Sequence, residues 1–160
     1  MAKKLTKTEI KKCLWFWFGK LYIRLRDTNR WWRGNCISSR KRLYRTEWQA
    51  GHFIPNGSCK YHTWNEDNVH FQSFSDNVKK YGNVLWYEDE LRKKIWDEKV
   101  DRLKETKNEL KQRKTRELEE MIKMYHDKVY EIVKDKDKKV RDEVDEYIKK
   151  YWKKMRDIYY

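Results

Sequence analysis

The uneven placement of turn-forming residues constrains the fold of this 160-residue chain more than any other feature. Four of its five glycines and its only proline lie between residues 31 and 87. Glycine and proline mark turns, so we expect tight turns and short strands in this region. The flanking segments almost lack both residues, which favours long helices on either side of a small central region.

Apolar residues recur at three- and four-residue spacing outside that region, as expected for helices. Residues 8–30 are predicted to form one helix, capped by Thr8. Residues 88–134 and 140–155 predict further helices, separated by a polar break at 135–139. Their mixed-charge faces suit either a helical hairpin or a coiled coil that joins two copies into a homodimer.

The central region contains three shorter patterns. Residues 43–54, "LYRTEWQAGHFI", have the composition of a strand. Residues 68–72, "NVHFQ", predict a second short strand or the entry to a helix. The stretch "SDNVKKYG" predicts a short helix that is capped by Ser75 or Asp76 and ends at Gly82.

The net charge of +14 is concentrated near the N-terminus, where residues 1–34 carry ten basic and two acidic residues. Such a balance predicts a polyanionic partner, nucleic acid ahead of membrane, although a basic solubilising surface is the alternative. The basic residues of the first helix fall mostly away from its apolar stripe. We therefore expect a basic amphipathic helix, which packs on a core and presents its cations to a partner or lies on a membrane surface.

The three cysteines, Cys13, Cys36 and Cys59, are widely spaced and suggest no disulfide framework, which favours a reducing compartment. The apolar patch "CLWFWFGKLYI" is interrupted by Lys20 and is too short to span a membrane. No secretory signal is recognisable. We expect a cytoplasmic protein without a membrane partner.

Residues 46–77 gather three of the four histidines together with several asparagines. His52 follows two small residues, Asn68 comes sixteen positions later, and Asn77 nine after that. Hydrolysis of a phosphodiester needs a base of near-neutral pKa, a group that holds its tautomer and a divalent cation. The pattern is compatible with this chemistry, but on spacing alone a structural histidine in a folded core between helical arms is the more common case.

The motifs "NCISS", "WQAGHF", "TWNEDNVHFQSFSDN" and "YGN", in this order, resemble the NinG/Rap recombination family of lambdoid phages, a branch of the HNH endonucleases. The resemblance covers about residues 10–130. It implies an α+β fold with a small HNH-like ββα-metal core at 35–90. The basic helix of residues 1–34 would precede this core, and a helical hairpin or coiled coil at 91–160 would follow it.

By this resemblance, His52 would be the general base, Asn68 would orient it and Asn77 would bind Mg²⁺ or Mn²⁺. His70 occupies a family position that would ligate the metal or support a ligand. The implied substrates are branched recombination intermediates, such as Holliday junctions, in the cytoplasm of an infected bacterium.

Phosphate contacts would hold the DNA without reading its sequence. The residues expected to make them are Lys11, Lys12, Arg24, Arg26, Arg40, Lys41, Arg42, Arg45, Lys79 and Lys80.

The family's four zinc-binding cysteines fall here on Cys36, Ser39, Ser73 and Asp76. One thiolate, two hydroxyls and a carboxylate make a poor zinc site, so we expect the structural zinc to be lost. Either hydrogen bonds and packing replace the zinc, or cysteines were removed by engineering.

Two other functions remain open from the sequence. The chain could be a non-catalytic DNA-binding protein on a degenerate HNH fold, or a structural protein that dimerises through residues 88–160. The intact His52, Asn68 and Asn77 favour the enzyme, because decay of a nuclease usually removes its catalytic residues.

Overall fold

The computed structural model describes residues 5–44, 47–57 and 59–159, with side chains described as far as residue 153. Arg45, one of the expected DNA-binding residues, lies outside this part. The helices are α1 Lys7–Trp15, α2 Ile23–Arg26, α3 Val84–Ile95, α4 Asp97–Glu105, α5 Thr115–Lys134 and α6 Lys138–Tyr159, with π-helical segments π1 Phe16–Tyr22 and π2 Ser75–Lys79. The strands are β1 Gly34–Asn35, β2 Arg42–Leu43, β3 Trp48–His52 and β4 Val69–Ser73. Helices and small antiparallel sheets together confirm the α+β class.

The first helix runs without interruption through α1, π1 and α2, close to the predicted 8–30. It begins one residue earlier, because its cap is Thr6 and not Thr8. The Thr6 hydroxyl accepts the Glu9 N–H at 3.3 Å, and the Glu9 carboxylate accepts the Thr6 N–H at 2.5 Å. These reciprocal bonds form a capping box, which satisfies two backbone donors that a helix start leaves unpaired.

The expected amphipathic character of this helix is wrong for its second half. Between residues 13 and 25 only Lys20 is exposed, and nearly every other side chain is buried. A helix that is apolar on all sides lies inside a protein. Residues of α5 and α6 pack around it in one cluster that includes Leu118, Tyr125, Val129, Val133, Val140, Val144 and Ile148.

The apolar face of α6 is therefore used within the chain, where Phe16 stacks on Tyr151 with ring centroids 3.6 Å apart. The same buried cluster draws on residues from all three predicted regions, 1–34, 35–90 and 91–160. A homodimer through the C-terminal helices stays a prediction, and it would have to use other residues of these helices.

The central hairpin pairs β3 with β4 in antiparallel register, with Ala50 opposite Phe71 and His52 opposite Val69. The predicted second strand is confirmed and is buried along its whole length. The predicted strand 43–54 is divided in two, because β2 ends at Leu43 and β3 begins only at Trp48. The Glu47 N–H donates to the Tyr44 carbonyl. The hairpin leads directly into π2, the short helix predicted from "SDNVKKYG".

The predicted continuous helix 88–134 is interrupted twice. The first break is at Trp96, whose φ is 73°, and the second spans 106–114. The breaks let α3 and α4 fold back over the loop that follows β3, where Leu91, Val100 and Phe53 share a second buried cluster. A single straight helix could not cover that loop.

The predicted polar break before the last helix is confirmed at residues 135–137. Lys136 lies in it and donates hydrogen bonds to the carbonyls of Leu25 and Thr28 at 2.7 Å each, and to that of Asn29 at 3.2 Å. A cation at these carbonyls stabilises the C-terminal end of the first helix. Among the described helices, none is both long and apolar enough to cross a membrane.

Candidate active site

His52 lies at the end of β3, and two contacts hold its ring. The imidazole stacks on Trp15, with centroids 5.4 Å apart and planes 12° apart. Its Nε2 lies 2.9 Å from the Thr63 carbonyl oxygen. Because a carbonyl only accepts hydrogen bonds, Nε2 carries the proton and Nδ1 keeps its lone pair. Among the described residues, Nδ1 has no hydrogen-bond partner.

The environment of His52 favours the neutral ring. Burial lowers the pKa of His52 below its ordinary value of 6.5, and the hydrogen bond to Thr63 opposes this only in part. An imidazole with a lowered pKa is unprotonated at neutral pH. His52 therefore presents a free basic nitrogen, as a general base requires.

Asn68 supports His52 indirectly, which corrects the expectation that it orients the imidazole itself. Its side chain is fully buried and bonds only to backbone. Oδ1 accepts the Ile54 N–H at 2.7 Å, and Nδ2 donates to the carbonyls of Ile54 and His62 at 3.1 Å each. These bonds close the loop that carries Thr63, so Asn68 positions the carbonyl that orients His52.

Asn77 lies on π2 beside β3, where its Nδ2 donates to Gln49 Oε1 at 2.6 Å. Its amide oxygen has no hydrogen-bond partner within the described part of the chain. Both side chains line a cleft of about 410 Å³, together with Trp15, Gly19, Lys20, Trp48, Ala50 and Tyr147. His52 is not among the lining residues, and its link to the cleft is Trp15, which lines the cleft and stacks on the imidazole.

The side chains that line this cleft offer few metal ligands, so they allow only a weak metal site. Mg²⁺ and Mn²⁺ prefer oxygen ligands, and Mg²⁺ keeps several waters in its protein sites. Asn77 offers one neutral oxygen, and no described carboxylate lines the cleft. In the described residues no group of three or more His, Cys, Asp or Glu side chains is placed to hold a metal. The residues fit a divalent cation only if a nucleic-acid phosphate supplies further oxygens.

His70 is not placed to bind a metal, contrary to the expectation. Its Nδ1 lies 2.9 Å from Arg26 and 3.1 Å from Lys94, and its Nε2 lies 3.2 Å from the Asp67 carbonyl oxygen. Both ring nitrogens are occupied, and two neighbouring cations would repel a third. Burial also lowers the pKa of His70, which keeps the ring neutral although Asp27 lies nearby.

Arg26 is likewise unavailable to DNA phosphate. It forms two hydrogen bonds of 2.9 Å with the buried Asp27 carboxylate and one of 2.8 Å with the Val69 carbonyl. Lys94 reaches the same carboxylate at 2.8 Å. Burial opposes ionisation, but the hydrogen bonds and positive charge of Arg26 hold the pKa of Asp27 well below its usual range. This buried charge cluster joins the first helix to β4 and α3.

Arg24 also departs from its predicted role. Its side chain is 9% exposed, and its guanidinium lies 3.8 Å from the ring centroid of Trp32 and 4.3 Å from that of Trp48. Stacking between two indoles stabilises a desolvated cation by cation–π attraction. Of the predicted cations on the first helix, only Lys11 and Lys12 are exposed.

The four positions that correspond to zinc-binding cysteines converge in space. Cys36 Sγ, Ser39 Oγ and Ser73 Oγ all donate to one oxygen, Asp76 Oδ2, at 3.2, 2.7 and 2.7 Å. The Ser73 N–H donates to Cys36 Sγ at 3.3 Å, and the Asp76 N–H to Ser73 Oγ at 3.0 Å. We call these four residues the Asp76 cluster. A buried carboxylate thus occupies the centre of a hydrogen-bonded group.

The second carboxylate oxygen of Asp76 is also satisfied, by Asn83 Nδ2 at 2.9 Å and Lys80 Nζ at 3.1 Å. Burial would raise the pKa of Asp76, but the bonds from Ser39, Ser73, Cys36 and Lys80 outweigh it and hold the pKa far below its usual range. Lys80, expected to contact phosphate, is bound here yet remains 57% exposed.

The other expected DNA-binding cations lie at the surface. Lys41, Arg42 and Lys79 are exposed, and Arg40 pairs with Glu90 at 2.6 Å while 66% of its side chain stays exposed. Arg40 and Arg42 line a groove of about 800 Å³ with Arg33, Lys93 and Lys94. Sequence reasoning missed this groove, since only the fold brings residues 33–42 next to α3.

Three further residues of the site were missed. Trp15 and Gln49 had no distinguishing signal, because one lay within an apolar stripe and the other within a strand pattern. Glu66 belongs to the quoted motif "WNEDN" and could have been selected. Its carboxylate accepts a hydrogen bond from the Tyr22 hydroxyl at 2.5 Å and pairs with Lys128, which ties the loop after β3 to the first helix and α5.

Fold and site together define an α+β protein in which a two-stranded hairpin carries a buried imidazole, His52, and the short helix after it carries an amide, Asn77, that lines a cleft. The chain matches the family model described as Bacteriophage Lambda NinG protein over residues 6–137. It therefore belongs to the NinG family, and the match supports a phage protein related to recombination. Comparison with curated proteins found no match, and comparison with solved structures found none either.

Proposed function

We propose that this protein is a metal-dependent DNA endonuclease of the HNH class that cuts branched recombination intermediates. The observation that carries the proposal is the orientation of His52. Its Nε2–H is bound to a backbone carbonyl, its ring is fixed on Trp15, and its Nδ1 is left as a base. The strand–strand–helix order of β3, β4 and π2 supports the class, as does the family match.

In the proposed reaction, Nδ1 of His52 takes a proton from water as the water oxygen attacks the phosphorus of a phosphodiester. The bond from phosphorus to the leaving sugar oxygen breaks, and that oxygen takes a proton from solvent. Trp15 and the Thr63 carbonyl hold the imidazole in the required tautomer. A divalent cation at Asn77, shared with the phosphate, would neutralise charge on the phosphate and the leaving oxygen.

DNA would be held by the cations that the structure leaves exposed. We expect phosphate contacts from Lys11, Lys12, Arg40, Lys41, Arg42, Lys79 and Lys80. Arg24 and Arg26 are omitted, because one is stacked between two indoles and the other is bound to Asp27. Contacts of this kind follow the shape of the backbone and carry little sequence information.

The test is cleavage of a synthetic four-way junction and of a linear duplex, each with Mg²⁺, Mn²⁺ or EDTA. We expect metal-dependent cleavage of the junction. His52→Ala should lower the rate by about 10²–10⁴ with nearly unchanged junction affinity, because a general base acts only towards the transition state. His126→Ala, which removes a histidine on α5, is the matched control and should cut normally. A His52→Ala protein that cuts at the wild-type rate would refute the mechanism.

The second candidate function is a non-catalytic DNA-binding protein on the same fold. The observation in its favour is the cleft itself, whose described lining contains no carboxylate. Such a protein would bind the junction with the same salt dependence. It would leave the junction intact with every divalent metal, whereas the enzyme would cut it with at least one.

A further inference from the structure

The segment from residue 74 to residue 86 exposes an unusual number of large apolar side chains. Tyr81 is 90% exposed, Leu85 84% and Trp86 64%. We call these three residues, two aromatic and one aliphatic, the aromatic patch. Phe74, Val78 and Val84 of the same segment are also more than 40% exposed. Single exposed apolar residues are ordinary, but a concentration of them in one segment marks an interaction site.

The backbone that presents Tyr81 is strained and firmly held. Tyr81, Gly82 and Asn83 have φ values of 50°, 88° and 47°, so two non-glycine residues adopt the left-handed region. The turn is anchored to the Asp76 cluster through Asn83 Nδ2 at 2.9 Å and the Gly82 N–H at 2.9 Å. Gln72 Nε2 also donates to the Gly82 carbonyl at 2.6 Å.

The consequence is a rigid turn whose most exposed side chain is an aromatic ring. A turn whose backbone is already held loses little backbone freedom on binding, which favours a tight contact.

The charges around the patch suit a polyanion. Within residues 74–86 the only acidic residue is Asp76, which is buried, whereas Lys79 and Lys80 are exposed. The acidic residues that follow are neutralised by neighbours. Glu88 pairs with Arg92 and Lys104, Asp89 pairs with Lys93, and Glu90 pairs with Arg40 and Lys93. Aromatic rings beside exposed cations are the combination by which proteins hold unpaired bases.

We propose that the aromatic patch stacks on unstacked bases at the branch point of a DNA junction and so makes the protein prefer branched to linear DNA. This inference rests on the proposed function. A linear duplex offers no free base face, whereas a branch point does. Asn77 lies in the same segment, so a branch point on the patch would bring the adjoining strands to the cleft. A second copy of the chain seated here would cover Asn77 and both lysines, which argues for DNA as the occupant.

The test is a double-mutant cycle in which one change removes the Tyr81 side chain and the other removes bases from the DNA. Binding affinity is measured by fluorescence anisotropy in EDTA, so that no cleavage occurs. One junction carries all its bases, and a second lacks the bases that flank the branch point. Tyr81→Ala should weaken binding to the complete junction by roughly 5- to 150-fold, the range of one base stack. It should leave linear-duplex affinity within about twofold. The wild type should bind the abasic junction more weakly than the complete junction by a similar factor. Tyr81→Ala should bind both junctions with the same affinity.

Trp96→Ala is the matched control. Trp96 is an aromatic residue, 75% exposed, with a φ of 73°, and it lies at the far end of α3 from Trp86. Its removal should leave the junction preference unchanged. Tyr81→Phe should retain the preference, since the ring remains. Circular dichroism of each variant checks that it is folded.

Every outcome bears on the proposal. The proposal would be overturned if removing the bases weakened binding by the same factor in wild type and Tyr81→Ala. It would also be overturned if Trp96→Ala made binding equally insensitive to those bases, or if the wild type did not bind the junction. Sedimentation showing that Tyr81→Ala converts a dimer to a monomer would assign the patch to a second copy instead. If Tyr81 and the bases are coupled in binding but the protein never cuts the junction, the patch is upheld and the proposed nuclease activity is refuted. If the protein cuts the junction but shows no such coupling, the nuclease activity is upheld and the role of the patch is refuted.

Discussion

The Asp76 cluster and the surroundings of His52 are two polar groups built on the same hairpin, and they differ in how completely they are satisfied. Both oxygens of Asp76 are bound, by five side-chain donors in all. At the other group, Nδ1 of His52 and the amide oxygen of Asn77 have no partner among the described residues. The first arrangement is closed and suits a structural role, whereas the second keeps the capacity to bind water, metal or substrate.

In the closed arrangement, hydrogen bonds connect the four positions that correspond to the family's zinc-binding cysteines. In the resembled family a zinc ion would bind four thiolates, two from the segment before the hairpin, one from the end of β4 and one from π2. Here one carboxylate attracts three donors at the corresponding positions, so the sign of the central charge is reversed while the cross-link is kept. Replacement of the clamp by polar contacts stays a prediction, and these hydrogen bonds are the contacts that it would use.

Removing the carboxylate of Asp76 should disrupt the hydrogen bonds of the Asp76 cluster. Asp76→Ala is expected to lower the free energy of unfolding by about 3–5 kcal/mol, because it leaves several buried donors unpaired. Asp145→Ala, at an exposed position of α6, is the control and should change it by less than about 0.5 kcal/mol. Urea denaturation measures both, and equal effects would show that the Asp76 cluster contributes no stability.

Restoring thiols should convert the closed group into a metal site. The variant with Ser39→Cys, Ser73→Cys and Asp76→Cys, which keeps Cys36, should bind one zinc. Free zinc at about a hundred times the Kd would then stabilise it by about 2.7 kcal/mol. Thermal melts with zinc and with EDTA measure the difference. The parent protein should melt at the same temperature in both, and a parent that loses stability in EDTA would mean that other residues hold a structural metal.

The open group should control the acid limb of the pH–rate profile. Protonation of Nδ1 removes the base, so the rate should fall by about tenfold per pH unit below the pKa of His52. Because burial lowers that pKa, the midpoint should lie below 6.5. The rate of junction cleavage between pH 4.5 and 8 checks this, and a midpoint above 7 would contradict a buried neutral imidazole.

The Asp76 cluster also depends on an unprotonated group, but the quantity that falls with acid is the stability of the fold. The pKa of Asp76 is lowered on folding, so its contribution to stability is present above the unfolded value of about 3.9 and disappears as the pH falls below it. Loss of stability in Asp76→Ala should therefore be large at pH 7 and smaller below pH 4. A constant difference across this range would assign the effect to packing alone.

The smallest expected effect is on the salt dependence of DNA binding, which should differ between exposed and buried cations of the first helix. Lys11→Ala and Lys12→Ala should each reduce the slope of log K against log [salt] by about 0.9, the value for one phosphate contact on duplex DNA. Arg24→Lys should leave that slope unchanged and instead destabilise the fold, because a lysine cannot stack between Trp32 and Trp48 in the same way. A lower slope for Arg24→Lys would place DNA at the buried half of the first helix.

Local patterns in the sequence determined much of the architecture. The strand at 69–73, the short helix after it and the break before α6 follow from alternation, turn residues and polar clusters. These features depend on neighbours within a few positions, where backbone hydrogen bonds and side-chain periodicity decide the outcome. The motif that contains His52, Asn68 and Asn77 was recognisable for the same reason, because its residues stand at fixed spacing.

Only the tertiary structure decided which polar residues are free. Arg24 and Lys11 look alike in a helical pattern, yet packing against Trp32 and Trp48 buries Arg24, whereas Lys11 stays in solvent. Cys36 and Asp76 are forty positions apart in the sequence and are joined at 3.2 Å. Thr63 and Trp15, which orient His52, come from different elements. A polar group acquires its role from partners that long-range packing supplies, and burial makes leaving such a group unpaired costly.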